Sequence, residues 1–175
     1  MRLRRRENYL YTLVFRKYQE VKKEKMEIKK IEKLIIFVKS GMDSPLSQYG
    51  SYAVAFAAKK IHNIPDVMVF YGQQGVEVVQ KGNLAKLALS EDVKKLIAGQ
   101  FEGLNPEDLP DNLELLARFV KDAMGVKIAS CATFHVVSGF ATSVDDTTNI
   151  EDFIMPMKIP DAVEAELSAD KILVF

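Results

Sequence analysis

Thiols are nearly absent from this chain. One cysteine, Cys131, stands among 175 residues. No internal disulfide framework can form, and zinc sites that need several thiolates are argued against. A dithiol oxidoreductase is excluded within one chain, because no second cysteine is there to resolve a disulfide. Histidine is almost as scarce, with only His62 and His135. No apolar run approaches the roughly 20 residues that a membrane span needs. The start Met1-Arg2-Leu3-Arg4-Arg5-Arg6 is basic enough for a signal-peptide n-region. The apolar part after it, residues 9–15, is short, leads into Arg16-Lys17 and has no small-residue cleavage site. A cytoplasmic protein is expected. Dinucleotide and P-loop fingerprints are missing too: Gly72-Gln73-Gln74-Gly75 follows a strand but lacks the Gly-Lys-Ser/Thr ending. Asp145, Asp146, Glu151 and Asp152 lack the spacing and glycine of an EF-hand and read as a solvated acidic loop. No cofactor and no metal are expected.

Net charge is absent as well, with 24 Lys/Arg against 24 Asp/Glu. The balance conceals an asymmetry. Residues 1–33 hold twelve Lys/Arg against five Glu, whereas residues 34–175 hold twelve against nineteen Asp/Glu. A basic arm, residues 1–32, therefore precedes an α/β body, residues 33–175. Such an arm can bind nucleic acid or a membrane surface. Residues 11–30 carry helix formers and scattered apolar residues (Leu13, Val14, Tyr18, Val21), without the aromatic-and-basic interleaving of an RNA groove. A solvated helical leader is the plainer reading of residues 1–30. Met26, just before the first strand, could itself be a start.

What is present alternates strand and helix. Lys33-Leu34-Ile35-Ile36-Phe37-Val38-Lys39 is a nearly continuous apolar run, which suits a strand covered on both faces of a parallel sheet. Ser40-Gly41-Met42-Asp43-Ser44-Pro45 supplies a turn, a cap in Asp43 or Ser44, and a proline at the first helical position. The helix should run to about His62, burying Tyr49, Tyr52, Ala53, Phe56, Ala57 and Ile61. Residues 66–71 form a second strand and residues 76–79 a short strand or turn. Ser90 can cap a helix with Val93, Leu96 and Ile97 inward. Asp111 can cap another through Met124, with Leu113, Leu116, Val120 and Ala123 inward and Gly125 at its end. A strand then ends at Cys131. Residues 141–152 read as a loop, Pro160-Asp161 starts a short helix, and residues 171–175 form a terminal strand. The order predicts an α/β three-layer sandwich, flavodoxin-like, with a mainly parallel sheet of about five strands.

Cys131 is the candidate for chemistry. A free cysteine commonly packs as a small hydrophobe. At the end of a strand and the start of a helix, however, it meets a partial positive charge that favours thiolate. His135, four residues on, would share its helix face. A Cys-His hydrolase needs a base from outside the nucleophile's own turn. His62 lies eighteen residues along the first helix, roughly 27 Å from its start, which is too far. A lone thiolate can still carry something: a persulfide, a thiol adduct or an oxidised sulfur.

The residues resemble the DsrE/DsrF-like family of small α/β sulfur-relay proteins. The likeness rests on the strand-loop-helix of residues 33–62, on Phe70-Tyr71-Gly72 through Gly75-Val76 to Lys81-Gly82, and on Val126-Lys127-Ile128, Cys131 and Gly139 followed by Ala169-Asp170-Lys171-Ile172-Leu173-Val174-Phe175. It covers about residues 33–175. The resemblance implies a sulfurtransferase or sulfur-carrier role, in which the cysteine matching Cys131 accepts sulfur as a persulfide and hands it on. His135 would tune or gate it, and Ser40, Gly41, Tyr71, Gly72, Gln73 and Gln74 would wall the substrate pocket. It also implies a homo-oligomer, trimer or hexamer, with sulfur donor and acceptor proteins as partners. Some relatives have no cysteine and only support a partner's assembly, so a non-catalytic oligomeric binding module is the alternative. Relatives often have a second cysteine or an arginine-glycine pair in the following helix turn; here Phe134 and Ser138-Gly139 stand instead.

Overall fold

The first strand is β1, Lys33–Val38, in which Leu34, Ile35, Ile36 and Val38 are all buried. A run buried on both faces needs cover above and below. It has both in this computed structural model, which describes residues 30–175. Residues 31–175 make one compact unit. The readings placed on residues 1–29 of the arm fall outside the described residues. Four strands join β1: β2 (Asp66–Tyr71), β3 (Lys127–Cys131), β4 (Met155–Met157) and β5 (Lys171–Val174). The sheet order is β4-β3-β2-β1-β5 and every pairing is parallel. The helices are α1 (Pro45–Lys60), α2 (Asn83–Lys86), α3 (Glu91–Ala98), α4 (Leu113–Met124), α5 (Ala132–Val137) and α6 (Ile159–Leu167). This is the expected flavodoxin-like three-layer sandwich.

Right-handed crossovers decide which face each helix covers. The steps from β1 to β2 and from β2 to β3 put α1 and α4 on one face, against Leu34, Ile36, Val38, Val69 and Ile128. The step from β4 back to β5 runs the other way. It puts α6 on the opposite face, where Ala162 and Ala165 meet Ile35, Met68, Phe70, Ala129 and Cys131. The winding thus reverses at the β3–β4 pair, where Cys131 is in register with Met157. Ligand crevices form at such reversals, outside the C-terminal ends of the strands.

Local chemistry places most elements. Pro45 opens α1, and Gly125 ends α4 with φ 68°. Ser90 caps α3 by accepting from Val93 N. Some expectations need correction. The buried face of α1 is Gln48, Ser51, Tyr52, Ala55 and Ala58, and Ile61 is exposed. Gln48 and Ser51 tolerate burial because each finds a backbone acceptor, Gln48 Nε2 at Ser40 O (2.7 Å) and Ser51 Oγ at Gln48 O (2.8 Å). On α3, Leu96 is exposed while Lys94 is buried, its Nζ 2.7 Å from Asp111. Asp111 is engaged there, and Asn112 caps α4 through Leu115 N. Ala117 rather than Ala123 completes the buried stripe of α4. Of the two readings of residues 76–79 the turn holds: Gln73–Glu77 is a 3-10 turn, and the remaining strand is β4.

That 3-10 turn lies directly on the end of β1. Gly72 N donates to Val38 O at 3.0 Å and Gly75 N to Lys39 O at 3.1 Å. A Cβ on Gly75 would stand 2.3 Å from Val38 O, a backbone atom. Gly75→Ala is therefore expected to destabilise by roughly 1–3 kcal/mol through overpacking. Urea denaturation checks it, and an unchanged midpoint would refute the close approach.

Candidate functional site

Ser130 and Cys131 end β3 and point to opposite faces of the sheet. Cys131 turns toward the α6 face, among Phe70, Val76 and Met157 with Phe134 and Phe140 alongside, and is 7 % exposed. It is also the N-cap residue of the six-residue α5, without a side-chain cap bond. Ser130 is fully buried on the other side. His135, 1 % exposed, shares a 2.8 Å hydrogen bond through Nε2 with Ser130 Oγ. The imidazole thus finds its partner in Ser130 and not in the thiol. The His135 carbonyl accepts from Phe140 N and Ala141 N at 3.2 and 3.3 Å, and the His135 and Phe140 rings lie 5.5 Å apart. One residue ties β3, α5 and the returning chain together. Burial pushes the His135 pKa below its ordinary 6.5, so the ring is neutral at pH 7.

Two loops meet at the same edge of the sheet. Ser40 and Gly41 follow β1, and Gly72, Gln73 and Gln74 follow β2. Gln73 and Gln74 are exposed. Gln73 has φ 50°, in the left-handed region that a non-glycine residue enters at a cost. Tyr71 lies beneath them, fully buried, its hydroxyl donating to Tyr52 at 3.0 Å. Burial raises the pKa of both phenols. The Gln48 amide holds the Ser40 carbonyl, although its own buried Oε1 has no partner among the described residues.

Beside these loops is a cavity of about 370 Å³ lined by Gln74, Glu77, Gln80, Ser138 and Phe140. Of this set, sequence reasoning reached only Gln74. Glu77 and Gln80 sit in or next to a stretch whose valines imitate a strand. Ser138 and Phe140 flank Gly139, whose φ of 81° marks the sharp end of α5 and was a readable signal. Phe140 lines the cavity and also packs on the cluster holding Cys131. A larger cavity of about 530 Å³, with Phe56, Phe101 and Phe119 in its walls, lies at the C-terminal ends of α1 and α4, the other edge of the sheet. Among the described residues no group of three or more His, Cys, Asp or Glu could hold a metal ion, and no helix is long and apolar enough to cross a membrane.

The parallel sheet, with the one cysteine at the C-terminal end of an inner strand, defines a small flavodoxin-like α/β protein. Among solved structures the chain is similar to the ychN protein from E. coli, a protein of DsrE-like fold. The TM-score is 0.56 and the identity 19%, and the match covers 83% of this chain and 100% of that one. At that identity the likeness establishes the fold. No protein-family model matches the chain, and no curated protein matches it either.

The depressed His135 pKa has a sign. The unfolded chain binds this proton more readily than the folded one, so stability should fall as pH drops below about 6.5 toward the folded value. His135→Asn should flatten that slope, and it should cost about 1–3 kcal/mol because Ser130 loses its buried partner. Urea midpoints at several pH values test both; an identical slope in the variant would refute the first.

Proposed function

We propose that this chain is a DsrE/DsrF-like sulfur carrier of a cytoplasmic relay, with Cys131 as its working thiol. The observation that carries the reading is the placement of the only cysteine at the C-terminal end of β3, where the winding reverses, in a fold shared with the ychN protein. The step needs a persulfide donor. The Cys131 thiol gives up its proton to solvent, and the thiolate attacks the outer sulfur of the donor's R–S–SH group. The donor's S–S bond breaks, its thiolate leaves and takes up a proton, and Cys131 holds the sulfur as a persulfide. A reducing cytoplasm would keep the thiol free between turnovers. His135 acts as a positioning residue, holding α5 over the thiol through Ser130. At 7 % exposure, sulfur exchange requires α5 to shift.

The burial of Cys131 among Phe70, Val76 and Met157 favours a second reading, a non-catalytic binding module in which the thiol only packs. Self-association suits either. Ile159, Val163 and Leu167 recur every fourth residue on α6 and are 54, 46 and 83 % exposed, an apolar stripe that a trimer or hexamer would cover.

Treatment with polysulfide followed by intact mass measurement should add one or more sulfurs to the wild type and none to Cys131→Ser. Equal adducts on both, or none on the wild type while the unfolded chain reacts readily, would leave the packing role. Val163→Glu should lower the sedimentation coefficient toward that of a single chain, and an unaltered coefficient would count against α6 as the contact.

A further inference from the structure

We infer that the sulfur partner of this chain is a protein whose reactive cysteine is flanked by a lysine or arginine, and that this basic side chain enters the cavity beside Glu77. The inference rests on the sulfur-relay reading of Cys131. Five residues line the cavity, and Glu77 is its only charge. Among the described residues no hydrogen bond or ion pair engages the Glu77 carboxylate. The nearest lysines along the chain are committed elsewhere, Lys81 Nζ to Thr148 O (2.6 Å) and Lys86 Nζ to Asn83 Oδ1 (2.8 Å). A second carboxylate is close: a Cβ on Gly41 would lie 2.9 Å from Glu77 Oε2 and 3.6 Å from Asp43 Oδ1. Gln74, Gln80 and Ser138 complete the lining with amide and hydroxyl oxygens that can accept from a guanidinium or ammonium.

The cavity borders the cluster that holds the thiol. Val76, next to Glu77 in the 3-10 turn, packs in the same cluster as Cys131, and Phe140 closes both spaces. Its volume of about 370 Å³ is near the lower end of ligand cavities, which run from roughly 300 Å³, so it suits one side chain. Val137, beside Ser138, is 73 % exposed, an apolar contact that a protein surface can cover and a small thiol cannot. A negative cavity next to the thiol admits a cationic partner and repels an anionic one.

Three short peptides test this, each with a central cysteine activated as a 2-pyridyl disulfide and flanked by Lys, Gln or Glu. The Cys131 thiolate attacks the peptide sulfur, and the S–S bond to the pyridyl group breaks. The departing pyridine-2-thiolate takes a proton and is read by its absorbance as the thione. Each rate is divided by the same peptide's rate with free mercaptoethanol, which removes the peptide's own reactivity. The Lys peptide is expected to exceed the Glu peptide by about fivefold at low salt, with the ratio shrinking toward one near 1 M salt. Glu77→Gln should collapse the ratio, Glu77→Asp should keep the order, and Glu102→Gln at the other edge should keep the ratio. Equal wild-type rates, or an undiminished ratio in Glu77→Gln, overturn the charge preference and leave the relay reading standing. Cysteamine activated as the same 2-pyridyl disulfide, if as favoured as the Lys peptide, overturns the protein partner. No reaction with any peptide overturns the relay reading together with this one.

Discussion

The turn after β2 rests on the end of β1 with no room for even one more methyl group between them. Two backbone hydrogen bonds, from Gly72 and Gly75 to Val38 and Lys39, hold that contact. The positions of Gln74, Val76 and Glu77 then follow from the position of β1, which lies between β2 and β5 in the sheet. Val76 reaches the cluster around Cys131, and Glu77 faces the cavity. A rigid sheet thereby positions groups that the sequence carries in a loop, which is how loops come to hold functional residues on a fixed scaffold.

The two faces of the sheet divide polar and apolar work at this edge. Tyr52, Tyr71, Ser130 and His135 are buried and hydrogen-bonded in two pairs, Tyr71 with Tyr52 and Ser130 with His135. Unpaired, each would bear the cost of burying a polar group. The other face holds Cys131 with aromatic and aliphatic neighbours, an environment that a polarisable sulfur accepts without a hydrogen bond. Because adjacent strand residues alternate, the sequence neighbours Ser130 and Cys131 belong to different environments. The His135 ring reaches the Ser130 side.

Much of the fold was legible because its signals are strong and local. β1, β2 and β3 are apolar runs, and Pro45, Ser90 and Gly125 mark helix ends with side chains or backbone angles that only a few residues supply. The misreadings share a cause: tertiary partners override pattern. Gln48 and Ser51 look like surface residues until their backbone acceptors are known. Lys94 looks exposed until Asp111 neutralises it, and that pairing draws Asp111 away from the helix cap. Three residues, Met-Pro-Met, carry too little pattern to announce β4. The position of Cys131 at the strand-helix junction could be read in advance; the cavity beside it could not, since Glu77 reaches it only through the backbone contact with β1.

β4 also makes the sheet lopsided at its borders. One border strand is three residues long with Pro156 at its centre, and a proline has no N–H to offer an incoming chain. The opposite border, β5, has four residues, no proline, and two exposed branched side chains in Ile172 and Val174. Strand-by-strand polymerisation, the common route by which β proteins lose solubility, is therefore blunted on the side that carries the cysteine and less guarded on the side away from it.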